Sequence, residues 1–207
     1  MCVKQAASPF QNAEQRQVER AAKRDAVLRA AVQMFNERGF HQTSLDDVAA
    51  RLGVSKPTIY HYLGNKDQVL LECVTIGLRQ LLEAAEQARQ EPGRGADRLM
   101  AFLHRYAEIN MDDFGRCVIR TGDEALGPES RKQFRVLKRN IDSAMRALIA
   151  EGIADGSIEP TDPKLLAFTL AGALNWPARW HEPGGALSAK ELARALVANL
   201  ARGFLPR

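Results

Sequence analysis

The segment 43–66, TSLDDVAARLGVSKPTIYHYLGNK, constrains the chain most, because it holds two helical patterns too short to stand alone and a turn that forces them together. Leu45, Val48, Ala49 and Leu52 recur at helical spacing, so the first pattern has one face to bury. Ser44, with Asp47 three residues on, supplies a capping-box start. Gly53 stands where the chain must reverse, and Val54 is placed to anchor the corner. Ser55 caps a second helix running from about Lys56 to Tyr62, with Pro57 in its first turn, where a missing N–H does no harm. Ile59 and Leu63 are the anchors of that helix. Lys56, Pro57, Thr58, Tyr60, His61 and Tyr62 are left to point outward, and an exposed cluster of that kind implies a partner.

Helical patterning surrounds this core motif. It runs from near Glu14 to Arg38, where Gly39 ends it, and Lys66 opens a long helix with Leu70, Val74, Gly77 and Leu81 on one face. Pro92-Gly93 stops that helix. A new one over 97–111 carries Leu99, Phe102, Leu103 and Tyr106, and the stretch 112–127 reads as irregular. Over 128–154 the stripe Phe134, Leu137, Ile141, Met145 and Leu148 opposes Arg131, Arg135, Lys138 and Arg139, which read as a solvated face. Asp162-Pro163 begins a helix that is apolar nearly all round, and the final helix aligns Leu192, Leu196 and Leu200. No strand pattern or internal repeat competes, so the expected fold is all-α. The expected division is a tail over 1–13, a small head over 14–66 and a helical domain over 67–207. The last two helices carry more apolar surface than this short chain can cover, which predicts a homodimer joined through them as a four-helix interface.

Charge follows the same division. Residues 1–66 hold 10 Lys/Arg against 6 Asp/Glu, whereas residues 67–207 hold 19 of each, so the whole net charge of +4 lies in the head and the tail before it, where Lys4 is the one charged residue. Clustered positive charge favours phosphate contact through counterion release. No apolar run reaches membrane-spanning length and no signal segment opens the chain, so the expected setting is the cytoplasm. Cys2, Cys73 and Cys117 are too few and scattered for a disulfide framework or a zinc site, and no metal or cofactor is expected. No catalytic motif is present. His104 with Cys117, or His181 with Glu182, can be drawn as a catalytic pair, but satisfied or exposed histidines are the simpler reading.

The pattern TS-x-x-D-V-A-x-x-x-G-V-S-x-x-T-I-Y-x-Y-x-x-N-K resembles the helix-turn-helix of the tetracycline-repressor (TetR) family of bacterial regulators. The resemblance covers about 27–73, including Leu28, Ala31, Met34, Phe35 and the Arg38-Gly39-Phe40 ending; beyond that it is one of helical pattern. It implies that the second short helix enters a DNA major groove, whose width admits one α-helix. By resemblance Ser55, Lys56, Pro57 and Thr58 form the leading end. There Lys56 faces guanine acceptors, Pro57 packs on a thymine methyl, and Thr58 reaches a base or the backbone. Tyr60, His61 and Tyr62 grip phosphates, and Thr43 and Lys66, at helix starts, add two further phosphate contacts. The implied operator is an imperfect palindrome read by a dimer.

The same resemblance implies a small-molecule effector held in the helical domain, and a repressor released by it. The segment 175–184, NWPARWHEPG, holds both tryptophans beside an arginine and looks like a segment of relatives that respond to acyl-coenzyme A thioesters. Trp176 and Trp180 would stack on a ring or chain and Arg179 would pair with phosphate or carboxylate; the alternative is that both tryptophans fill the dimer interface. Phe102, Tyr106, Met111, Cys117 and Met145 are further cavity candidates. The rival to this regulator is an architectural DNA-binding protein without a sensor.

Overall fold

The computed structural model describes residues 9–204, with side chains described from residue 15. The tail expected over 1–13, with Cys2, lies outside the described residues as far as Ser8; from Pro9 onward the chain is helical, five residues ahead of Glu14. Ten α-helices and one 3-10 turn are present among the described residues, with no strand. The chain divides into two compact units, with the division between Val69 and Leu70.

The head contains α1 (Pro9–Arg38), α2 (Leu45–Leu52), α3 (Lys56–Leu63) and the first turn of α4 (Lys66–Arg89). Its core is Val27, Leu28, Ala31, Met34 and Phe35 of α1 against Leu45, Val48 and Ala49 of α2 and Ile59 and Leu63 of α3, all buried. Local chemistry fixes each boundary. Ser44 Oγ accepts from Asp47 N at 3.1 Å and Asp47 Oδ2 accepts from Ser44 N at 2.8 Å, closing the capping box of α2. Gly53 ends α2 at φ +66°, a left-handed conformation a side chain would strain. Val54 is 39% exposed, so the corner is held by backbone bonds to Ala49 and Ala50 and not, as the sequence suggests, by a buried Val54. Asn65 and Gln68 cap one another at the start of α4.

The second unit is built around α5 (Gly95–Met111), which packs against α6 (Asp113–Arg120), α7 (Pro128–Ala154), α8 (Pro163–Asn175), α9 (Pro177–Trp180) and α10 (Ala189–Ala201). Phe102, Leu99, Leu103, Phe134, Leu148 and Leu174 form its fully buried centre. The stretch 112–127 is not irregular as expected. It holds α6, whose Phe114, Cys117 and Val118 are buried, and the 3-10 turn Asp123–Ala125. Gly77 of α4 lets α6 approach: a Cβ there would lie 2.7 Å from the Phe114 carbonyl oxygen. Asp155, at the end of α7, accepts from Gly95 N at 2.7 Å and from Ser157 N at 3.0 Å, tying α7 to the start of α5. The Ser157 hydroxyl, which donates to Asp155 Oδ1 at 2.5 Å, does most to hold its carboxyl well below the usual range, at about 2, with the Gly95 and Ser157 N–H bonds adding to it.

Candidate functional site

The outward surface of α3 carries most of the residues singled out in the sequence. Ile59 is fully buried and Leu63 nearly so, and their inward pull turns Lys56, Pro57, Tyr60 and His61 to solvent, with Thr58 and Tyr62 half-buried. Ser55 does not bond a backbone N–H; its Oγ lies 2.8 Å from Thr58 Oγ1, so the two hydroxyls form one polar unit at the leading end of the helix. Lys56 Nζ pairs with Asp46 Oδ2 of α2 at 2.5 Å, and that bond raises its pKa. Both partners are exposed, so the pair is weak and exchangeable. Tyr60 is 51% exposed. The His61 and Tyr62 rings meet edge-on with centroids 5.4 Å apart, and the Tyr62 carbonyl accepts a hydrogen bond from Arg24 Nε at 3.3 Å.

The two expected helix-start phosphate contacts differ. Lys66 opens α4 with its Nζ 4.2 Å from the centroid of the Phe40 ring, and partial burial lowers its pKa. Thr43 corrects the sequence reading. Its side chain is buried, its Oγ1 donates to the carbonyls of Met34 and Gly39, and Ser44 occupies the cap, so the hydroxyl is used inside the head and is not offered to a phosphate.

The second unit holds a cavity of about 430 Å³ walled by α4, α5, α6, α7 and α8 and reaching α9. Leu81, Val118, Ile141 and Met145 supply apolar wall, and Trp176 and Arg179 stand at α9. Of the expected ligand residues, Tyr106, Trp176 and Arg179 line it, as does Met145. Phe102 does not: it is fully buried behind Tyr106, ring edge to ring face at 5.6 Å. Met111 is core. Cys117 is also core, its Sγ 3.7 Å from Thr121 Oγ1 and its thiol pushed up to about 11 by burial. Trp180 is half exposed and outside the lining. Cys73 is likewise buried, and burial pushes its thiol up.

Sequence reasoning missed the polar wall. Lys138 and Asp142 reach the cavity from α7, although Lys138 reads as part of a solvated stripe. The available signal was their i, i+4 spacing flanking Ile141. Asn175 Oδ1 accepts from both Tyr106 Oη and Asn110 Nδ2 at 2.9 Å, which fixes one amide at the cavity. Arg120 Nε donates to Ala178 O at 3.1 Å and Arg116 Nη2 to His181 O at 3.1 Å, so α6 holds α9 by its carbonyls. Burial, with Arg116 and Arg179 nearby, lowers the Arg120 pKa. Arg179 itself makes no ion pair with a described residue.

Neither catalytic pairing forms. His104 Nδ1 is buried without a partner while Cys117 bonds Thr121, and His181 Nε2 lies against Leu187 O at 3.1 Å while Glu182 is exposed. Among the described residues no group of three His, Cys, Asp or Glu is placed to hold a metal, and no helix is long and apolar enough to cross a membrane.

The family model for the N-terminal part, "Bacterial regulatory proteins, tetR family", matches residues 27–73, and "Tetracyclin repressor-like, C-terminal domain" matches residues 92–204. The chain belongs to the TetR family. It is therefore a DNA-binding transcriptional regulator and not an enzyme. It is 27% identical to the HTH-type transcriptional repressor KstR2 of Mycolicibacterium smegmatis, over 89% of this chain and 91% of that one. The TetR family regulator PfmR from Thermus thermophilus is 30% identical with a TM-score of 0.78, over 87% of this chain and 99% of that one. AibR, solved in complex with isovaleryl coenzyme A and operator DNA, shares the fold at 24% identity and a TM-score of 0.74, over 85% and 96% of the two chains.

Proposed function

We propose that this TetR-family regulator is a repressor that reads a palindromic operator as a homodimer through α3 and is released by an amphipathic anion, best matched by an acyl-coenzyme A thioester. The observation that carries the DNA half is the outward set Lys56, Pro57, Tyr60 and His61, with half-buried Thr58 beside the capping position Ser55, on a short helix whose inward residues Ile59 and Leu63 are committed to the core. A helix so anchored presents its polar side to a major groove. Lys56, Pro57 and Thr58 take the base edges, and Tyr60, His61, Tyr62 and Lys66 take phosphates. Selection from random duplexes tests this: enrichment of one inverted repeat supports a sequence reader, and a flat distribution leaves an architectural binder.

The effector half rests on the cavity. Its apolar walls suit an acyl chain, the Tyr106–Asn175 amide can meet a carbonyl, and Arg179 with neighbouring Arg116 and Arg120 offers concentrated positive charge to phosphate groups. About 430 Å³ holds a modest acyl or ring system and not a whole coenzyme, so the nucleotide part stays outside the cavity. The acyl-coenzyme A complex of AibR favours this ligand class. Thermal-shift titration with a series of acyl-coenzyme A esters and the matching free acids checks it; no stabilisation by any thioester sinks the ligand class and leaves the DNA reading intact. Exposed Leu165 and Phe168 on α8 are the apolar contacts of the proposed dimer, and the cytoplasm is the setting such a regulator requires.

A further inference from the structure

Ahead of the segment matched by the family, α1 carries a helical extension whose described side chains, from residue 15, contribute nothing to the core of the head. Residues 15–26 are exposed on every side, and burial begins only at Val27 and Leu28. A helix polar all round depends on a partner or on its own side-chain pairs. Arg16, Arg20, Lys23 and Arg24 fall at i, i+4, i+7 and i+8 and share one face. Exposed Val18 lies on the opposite face, and Asp25 is held by Arg29 at 2.8 Å. Arg16, Arg20 and Lys23 form no ion pair with a described residue. At the foot of the stripe, Arg24 donates to the carbonyl of Tyr62 in the last turn of α3. The basic face is thus continuous with the recognition helix.

We infer that this extension is a second DNA contact, in which the Arg16, Arg20 and Lys23 stripe grips the phosphate backbone flanking the bases read by α3. Its charge and its continuity with α3 select DNA as the occupant. From Arg16 to Arg24 the helix rises about 12 Å. Against one charge per roughly 3.4 Å of each strand, that span serves two or three phosphates. Contacts of this kind carry no sequence information, so the extension adds affinity and register while α3 does the reading. The inference rests on the DNA-binding role proposed for α3.

The test uses full-length R16Q/R20Q/K23Q, since glutamine keeps helix propensity while removing charge, and titrates a long mixed-sequence duplex over a series of potassium chloride concentrations. The slope of log affinity against log salt should become shallower by about 2 to 3, near 0.9 per lost contact. The R16K/R20K variant should retain the wild-type slope. An unchanged slope in the glutamine variant, beside a salt-dependent wild type, overturns the extension's role and spares that of α3. Equal loss in the lysine variant overturns the charge-based account. A wild type that binds the duplex at no salt concentration overturns both readings.

Discussion

At the scale of single residues, side-chain partners separate the two kinds of DNA contact proposed for the head. Lys56 and Thr58 sit at the leading end of α3, with Lys56 lightly held by Asp46 and Thr58 by Ser55, and in the proposed complex both exchange those partners for base edges. Lys66 is set over the Phe40 ring at the first residue of α4, off the proposed recognition helix. Lys56→Ala or Thr58→Ala should therefore change base preference, at about 1–3 kcal/mol for the preferred base. Lys66→Ala should weaken every sequence alike and reduce the salt slope by about 1. Mobility-shift titrations on matched and mismatched duplexes check this, and identical behaviour of the three variants would contradict the assignment. Thr43 shows the limit of residue-level reading: position at a helix start suggests an anion contact, and only the folded head shows its hydroxyl turned onto two inner carbonyls.

At the scale of elements, close approach and capping decide which changes are tolerated. Gly77→Leu should destabilise by about 1–3 kcal/mol or more, because the new Cβ meets the Phe114 backbone of α6, with the buried Val118 side chain beside it; urea unfolding midpoints measure it. Asp155 gives a pH dependence with a definite sign. Its folded pKa, about 2, lies below its unfolded value, so its contribution is complete above about pH 4 and fades as pH falls toward 2. Asp155→Asn should flatten acid unfolding in that window, followed by circular dichroism. Most of the helices are legible from the sequence, because the stripes of α2, α5 and α7 and the caps at Ser44 and Asp162 are local signals. The helix α6 is not, because its short apolar face is interrupted by Gly115 and gains meaning only against Gly77. The reading face of α3 is legible because it is a contiguous exception to core patterning. The cavity is only half legible, since Lys138, Asp142 and Asn175 converge from separate helices and Cys117 and Phe102 satisfy the same apolar pattern from inside the core.

At the scale of the whole molecule, the proposed dimer depends on α8, whose Leu165 and Phe168 are 61% and 54% exposed despite their size. Charged replacement of both, L165E/F168E, should give monomers by sedimentation velocity and lose palindrome binding while each α3 keeps weak, salt-sensitive affinity for DNA. A variant that still sediments as a dimer would move the interface elsewhere. Phe168 also belongs to the cavity wall, together with Ala171 and Gly172 of the same helix. One slender rod therefore has chamber on one flank and, in the proposed assembly, sister subunit on the other. Any guest bulky enough to push that ring aside must redraw the seam between the copies, so selecting for a new inducer and preserving assembly become a single engineering problem.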